Sequence, residues 1–352
     1  MTMSQPSFKN FFLENILDFL WRQWSALGIA GGARTEDKWA IDPEALLIFS
    51  LEMARYEPRL FDEILDWIIV NAKWIDNQRL RGIVKGKNEN AVRLLSAVAS
   101  FVSKEAGTYE RKWKSISLLA KHSPTNGAEI LFRAKEGRAY PEPRNASAPF
   151  QDFGFLREPI SVRKMTKPVP VAPRSNIRFL LRALFGVGSR AECILFLLTH
   201  EAGHPSEIAK AIGISFMGAR NTLIELSGSG LVLTRIKGKR KIEYWILQKR
   251  WWEFLSGVKL EDAGIPVWID WISLFSALMN VWNVLVEADK TQSDYMRSSK
   301  LREGMETISR EFLKSGLDVP QIPGIEVGPE KYERAFQNFI IRVLGARDES
   351  GR

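Results

Sequence analysis

Between Ser189 and Trp252, residues that start and stop helices follow one another so closely that few folds accommodate them. Ser189-Arg190-Ala191-Glu192 has the form of a capping box, with an N-cap serine and a glutamate three residues later. The helix it opens carries Ile194, Leu195, Leu197 and Leu198 and ends near His200. Pro205 suits the first turn of a second, short helix with Ile208, Ala209 and Ile212 on its apolar face. Gly213 is placed to end that helix in the left-handed conformation, and Ser215 to cap the next one. A third helix is expected over Phe216 to Ser227, with Ala219, Leu223 and Leu226 as its buried stripe. Gly228-Ser229-Gly230 ends it. Two strands follow, Leu231 to Ile236 and Ile242 to Ile246, around the tip Lys237-Gly238-Lys239-Arg240-Lys241.

Charge singles out the same segment. The 352-residue chain carries a formal charge of +9. From Arg174 to Trp252 there are 13 Lys and Arg against 5 acids, so nearly the whole excess sits in about a fifth of the chain. A basic excess confined to one module is the footprint of a polyanion partner. The cations of the hairpin tip repel one another until phosphates neutralise them.

The pattern resembles the winged helix-turn-helix repressors of the multiple-antibiotic-resistance and arsenic-resistance type. The residues that carry the resemblance are Ser206-Glu207-Ile208-Ala209, Gly213, Ser215 and Leu226-Ser227-Gly228-Ser229-Gly230-Leu231-Val232. The resemblance implies a mainly α protein whose central module has three helices and a two-stranded β wing, flanked by helical N- and C-terminal regions. It also implies that the helix from Phe216 enters the major groove of double-stranded DNA. Ser215, Phe216, Met217, Arg220 and Asn221 would then face the bases, and Arg235, Lys237, Lys239, Arg240 and Lys241 the phosphates. Phe216 and Met217 are more apolar than the polar pair usual at those positions. The implied role is transcriptional regulation, with an effector ligand that the sequence does not identify. Winged helices also serve as protein-interaction scaffolds, which is the alternative reading.

A rival motif overlaps this one. His200-Glu201-Ala202-Gly203-His204 satisfies the H-E-x-x-H pattern of zinc metalloproteases, in which both histidines project from one helix. Pro205 argues against a continuous helix, because its ring disfavours helical geometry at His204 and clashes one turn back. We therefore expect a loop here, and no catalytic residue, metal or cofactor.

The flanks read as helical. Phe8 to Leu27, Asp42-Pro43-Glu44 onward, Pro58 onward, Ala91 to Ser103 and Tyr109 to Lys121 have helical spacing or caps in a region of residues 1–138. Seven of the 16 prolines fall within residues 139–176, which reads as a linker or surface strap. The module follows at 177–252, and a helical region at 253–352 with helices over Pro266 to Glu287, Ser293 to Ser315 and Pro329 to Leu344. Trp271 to Val286 is apolar but interrupted by Ser273, Ser276, Asn280 and Asn283. We read it as a buried or subunit-contacting helix of a possible homodimer rather than a membrane span. Cys193, the single cysteine, reads as a buried small hydrophobe. The first residues lack a basic-then-apolar signal, and the expected location is cytoplasmic.

Overall fold

The computed structural model describes residues 4–30, 38–121, 128–135, 138, 140–238, 241–257, 264–321, 324 and 328–349. The chain is mainly helical. Its elements run α1 (Gln5–Ala26), α2 (Pro43–Met53), α3 (Pro58–Asn71), α4 (Asn77–Val84), α5 (Glu89–Glu105), α6 (Glu110–Ser117), β1 (Glu129–Ile130), α7 (Ala148–Gln151) and β2 (Phe155–Leu156). They continue with α8 (Ile177–Phe185), α9 (Ser189–Thr199), α10 (Pro205–Ile212), α11 (Phe216–Gly228), β3 (Leu233–Lys237), β4 (Lys241–Trp245), α12 (Gln248–Ser256), α13 (Trp271–Asp289), α14 (Asp294–Ser315) and α15 (Pro329–Glu349). Strands β1 and β2 pair in parallel over two residues each. Strands β3 and β4 form an antiparallel hairpin in register from Leu233 opposite Trp245 to Lys237 opposite Lys241.

By contact the chain gathers into two compact units that cut across the linear division expected from the sequence. One comprises residues 1–21, 133–140 and 269–352, the other residues 22–132 and 141–268. In the first unit, α1 lays Phe12 against Trp282 and Phe19 against Trp271 and Phe275, with ring centroids 6.1 to 6.5 Å apart. Asp270 caps α13 by accepting from the Ser273 amide at 3.1 Å. The helix therefore starts at Trp271, not at Pro266 as the sequence suggests. Among the described residues α13 is the one helix long and apolar enough to cross a membrane, and 56% of that window is buried inside the protein.

The second unit is built around α2, whose residues are buried on every side except at Glu52. Asp42 caps it as the sequence indicates, accepting from the Ala45 amide at 3.1 Å. Trp24 donates its indole N–H to Ser50 at 2.9 Å and meets Trp67 edge-on at 5.0 Å. The proline-rich stretch lies over this core. Beyond Leu156 its described backbone has no sheet partner, and side chains of α3 take that place. The Asp66 carboxylate accepts from the Lys164 and Thr166 amides at 2.6 and 3.0 Å. The Asn71 side-chain amide accepts from the Val169 N–H and donates to the Lys167 carbonyl.

Helix α4 was not legible in the sequence, and it carries the residue that ties this core to the later helices. Arg79 is 1% exposed and donates from Nε to the Ile212 carbonyl at 2.6 Å. Around it lie Asp42, Glu44, Arg178, Arg182 and Glu192, every one buried. Arg79 contacts Glu44 at 2.7 Å and also pairs with Asp42. Arg182 reaches Glu44 at 2.8 Å and Glu192 at 2.6 Å, and Arg178 reaches Glu192 at 2.7 Å. Three guanidiniums and three carboxylates make the cluster neutral, which is what makes its burial tolerable.

This cluster overturns one local expectation. Glu192 does not close a capping box with Ser189, because both of its oxygens are taken by Arg178 and Arg182. Gly188 stands at the N-cap of α9, and the Ser189 hydroxyl pairs with that of Thr222 at 2.7 Å. Burial of two guanidiniums creates a demand for anionic acceptors that outweighs one backbone amide at a helix start.

Candidate nucleic-acid interface

Helices α8 to α12 and the hairpin share one core, in which Leu181, Ile194, Leu198, Ile208, Ile212, Leu223, Val232 and Trp252 are buried together. Gly213 ends α10 with φ 71° and ψ 36°, a left-handed residue where a side chain would be strained. The chain turns there, and the Ser215 hydroxyl caps α11 by accepting from the Gly218 amide at 3.1 Å. Helix α11 buries Ala219, Thr222 and Leu223 and leaves its other face open. Ser215, Phe216, Met217, Arg220 and Asn221 are all on the exposed face. Arg220 makes no hydrogen bond or ion pair among the described residues. Ile224, one turn further along the same face, is also exposed. The sequence reading of the open face stops at Asn221, because base-reading residues are expected in the N-terminal half of such a helix. The position of Ile224 seven residues after Met217 was the available signal.

The hairpin is tied back to α10 and to the loop before it. Gly203 and Tyr244 exchange both backbone hydrogen bonds at 2.9 Å. A Cβ at Gly203 would lie 2.7 Å from Phe196 Cε1 and 2.8 Å from Ile208 Cγ1. Replacing Gly203 by alanine is therefore expected to cost about 1–3 kcal/mol by overpacking. A thermal midpoint equal to that of the wild type would contradict this.

Arg235, Lys237 and Lys241 of the hairpin do not stand free, which the charge count could not reveal. Arg235 reaches Glu201 at 2.7 Å and Glu243 at 3.0 Å. Lys237 reaches Glu243 at 3.0 Å, and Lys241 reaches Glu207 at 2.6 Å. The hydrogen bond from Lys241 holds the Glu207 carboxyl below its ordinary value and raises the lysine above its own. Lys239 and Arg240 lie outside the described residues. Of the 13 cations from Arg174 to Trp252, Arg178 and Arg182 are buried in the ion cluster and unavailable to a ligand. Glu192 is buried with them, so the basic balance of the remaining residues is nearly unchanged.

The H-E-x-x-H residues take other roles. Helix α9 ends at Thr199 and α10 begins at Pro205, so no helix carries both histidines. His200 stacks on Phe196 with centroids 3.9 Å apart and planes 4° apart, and meets Trp268 edge-on. Burial keeps its pKa below the ordinary imidazole value, against the opposing hydrogen bond to the Phe196 carbonyl. His204 is the N-cap of α10, its Nδ1 accepting from the Ser206 amide at 3.3 Å, while Glu207 accepts from the His204 amide at 3.1 Å. The capping box of this region is thus here, one helix later than expected. Among the described residues no group of three His, Cys, Asp or Glu side chains is placed to hold a metal ion. Cys193 is buried, and burial together with the neighbouring Glu192 pushes its thiol up to about 12. It is therefore a protonated, shielded thiol at neutral pH.

Compared with known protein families, curated proteins and solved structures, the chain matches none.

Proposed function

We propose that the protein binds double-stranded DNA through a winged helix-turn-helix and acts as a transcriptional regulator in the cytoplasm. In this reading α9, α10 and α11 are the three helices, α11 is the recognition helix, and the β3–β4 hairpin is the wing. The observation that carries it is the open face of α11, formed by Ser215, Phe216, Met217, Arg220 and Asn221, on a helix that shares its core with the cation-rich hairpin following it in the chain. A helix held by its rear face, with Arg and Asn on its front, suits the donor and acceptor pattern of the major groove. The wing's lysines reach phosphates once these displace Glu207 and Glu243, an exchange in which the duplex offers several charges for each carboxylate. If the protein forms a two-fold homodimer, two such helices would meet half-sites spaced by whole turns of DNA.

The test is a fluorescence-anisotropy titration of mixed-sequence duplex with the full chain at about 50 and 200 mM salt. About six phosphate contacts would lower affinity by about 1,000-fold between the two conditions. Absence of binding at the lower salt would sink the proposal.

One observation favours a second reading, a protein-interaction scaffold. Phe216, Met217 and Ile224 make the open face of α11 more apolar than groove binding by hydrogen bonds alone requires. Under that reading no salt-dependent affinity for duplex would be found.

A further inference from the structure

The exposed face of α11 has a composition that polar base readout leaves unexplained. Met217, Arg220 and Ile224 are spaced i, i+3 and i+7 and so form one stripe. Met217 is 55% exposed, Ile224 46% and Phe216, beside them, 46%. Apolar side chains clustered in water mark a surface that is covered in use. Arg220 limits what covers it. It stands mid-stripe without a partner among the described residues, so a protein surface sealed over it would have to bring a buried acid or leave a guanidinium unpaired. A duplex brings acceptors at every step, from guanine edges or phosphates, and the basic hairpin of the same module matches its charge. Within the major groove the apolar group presented by the bases is the pyrimidine 5-methyl, carried by thymine and by 5-methylcytosine.

We propose that α11 reads pyrimidine 5-methyl groups in the major groove with Met217 and Ile224, flanked by Phe216, while Arg220 pairs with an acceptor between them. The inference rests on the duplex-binding reading above and adds the chemical feature recognised. Along the helix axis Met217 and Ile224 are about 10 Å apart. That is the span of about three base-pair steps, so two methyl groups either side of a guanine fit the stripe.

The test uses the full chain and duplexes about two helical turns long, in one A·T-rich sequence made either with thymine or with deoxyuridine at every thymine position. The two differ only in methyl groups. The thymine duplex is expected to bind about fourfold to fifteenfold tighter, the effect of burying one or two methyl groups. In the variant Met217→Ser/Ile224→Ser the two duplexes should bind alike, with an unchanged circular-dichroism spectrum, since both side chains are exposed. In Lys237→Ala/Lys241→Ala both should weaken together and the ratio persist. A third duplex, thymine-poor and made with or without 5-methylcytosine, separates the sources. Tighter binding on methylation assigns the methyl group on either base, and no change assigns thymine alone. Equal affinity for thymine and deoxyuridine duplexes would overturn the inference while leaving duplex binding intact. A preference that survives in the double serine variant would overturn it too, by assigning the difference to DNA shape. No binding to either duplex would overturn both readings.

Discussion

Replacing Glu192 by alanine lowers stability by about 3–5 kcal/mol, the expected effect of leaving buried guanidiniums without their anion. Glu192 is fully buried and receives Arg178 at 2.7 Å and Arg182 at 2.6 Å, so its loss leaves three buried guanidiniums to share Asp42 and Glu44, with one positive charge uncompensated. The comparison that isolates the cause is Glu225→Ala. Glu225 pairs with Arg190 at 2.9 Å with both side chains 58% exposed. Its removal is expected to change stability by at most about 1 kcal/mol. Urea denaturation of the two variants beside the wild type makes the measurement, and equal effects would refute a role for the buried cluster. The same cluster sets a pH dependence. Burial alone would raise the carboxyls of Asp42 and Glu44. The guanidiniums of Arg178 and Arg79 at Asp42, and of Arg182 and Arg79 at Glu44, more than offset this and hold both below their ordinary values of 3.8 and 4.5. A carboxyl depressed in the folded state contributes stability that is fully present above its unfolded pKa and lost as pH falls through the folded one. The thermal midpoint should therefore drop on acidification below about pH 4, and Glu44→Gln should flatten that drop.

The second large effect concerns the hairpin. In the variant Lys237→Ala/Lys239→Ala/Arg240→Ala/Lys241→Ala, the slope of log affinity against log salt should fall by about 3 to 4, because each phosphate contact contributes about 0.9. Affinity at low salt should fall steeply with it. The carboxylates at the hairpin's root make the opposite change informative. Glu243 engages both Arg235 and Lys237 in the free protein, and phosphates must compete with it. Glu243→Gln is accordingly expected to tighten duplex binding. Titration of all three proteins at two salt concentrations checks both directions. An unaltered slope in the four-residue variant would remove the hairpin from the interface.

How much of this could be read beforehand depended on the range of the interaction involved. Caps and turns are local, so Asp42 before α2, Gly213 after α10 and Ser215 before α11 were legible from neighbouring residues alone. The proline at 205 was enough to exclude one helix through both histidines, since its ring acts on its own turn. The capping box was misplaced because Ser189-x-x-Glu192 and His204-x-x-Glu207 look alike locally. The first glutamate was claimed by arginines ten and fourteen residues before it. The candidate interface was legible as a set of residues, but not the exposure of Ile224 or the pairing of Arg235, Lys237 and Lys241 with Glu201, Glu207 and Glu243.

The sequence by itself determined the helical content, the short helices around Gly213 and the hairpin, because propensity, capping and alternation act over a few residues. Only the tertiary structure decided that Asp42, Glu44 and Arg79 share one buried cluster with Arg178, Arg182 and Glu192. Charges this far apart in the chain meet only when burial makes each require a partner, and nothing local to any one of them says which partner that will be.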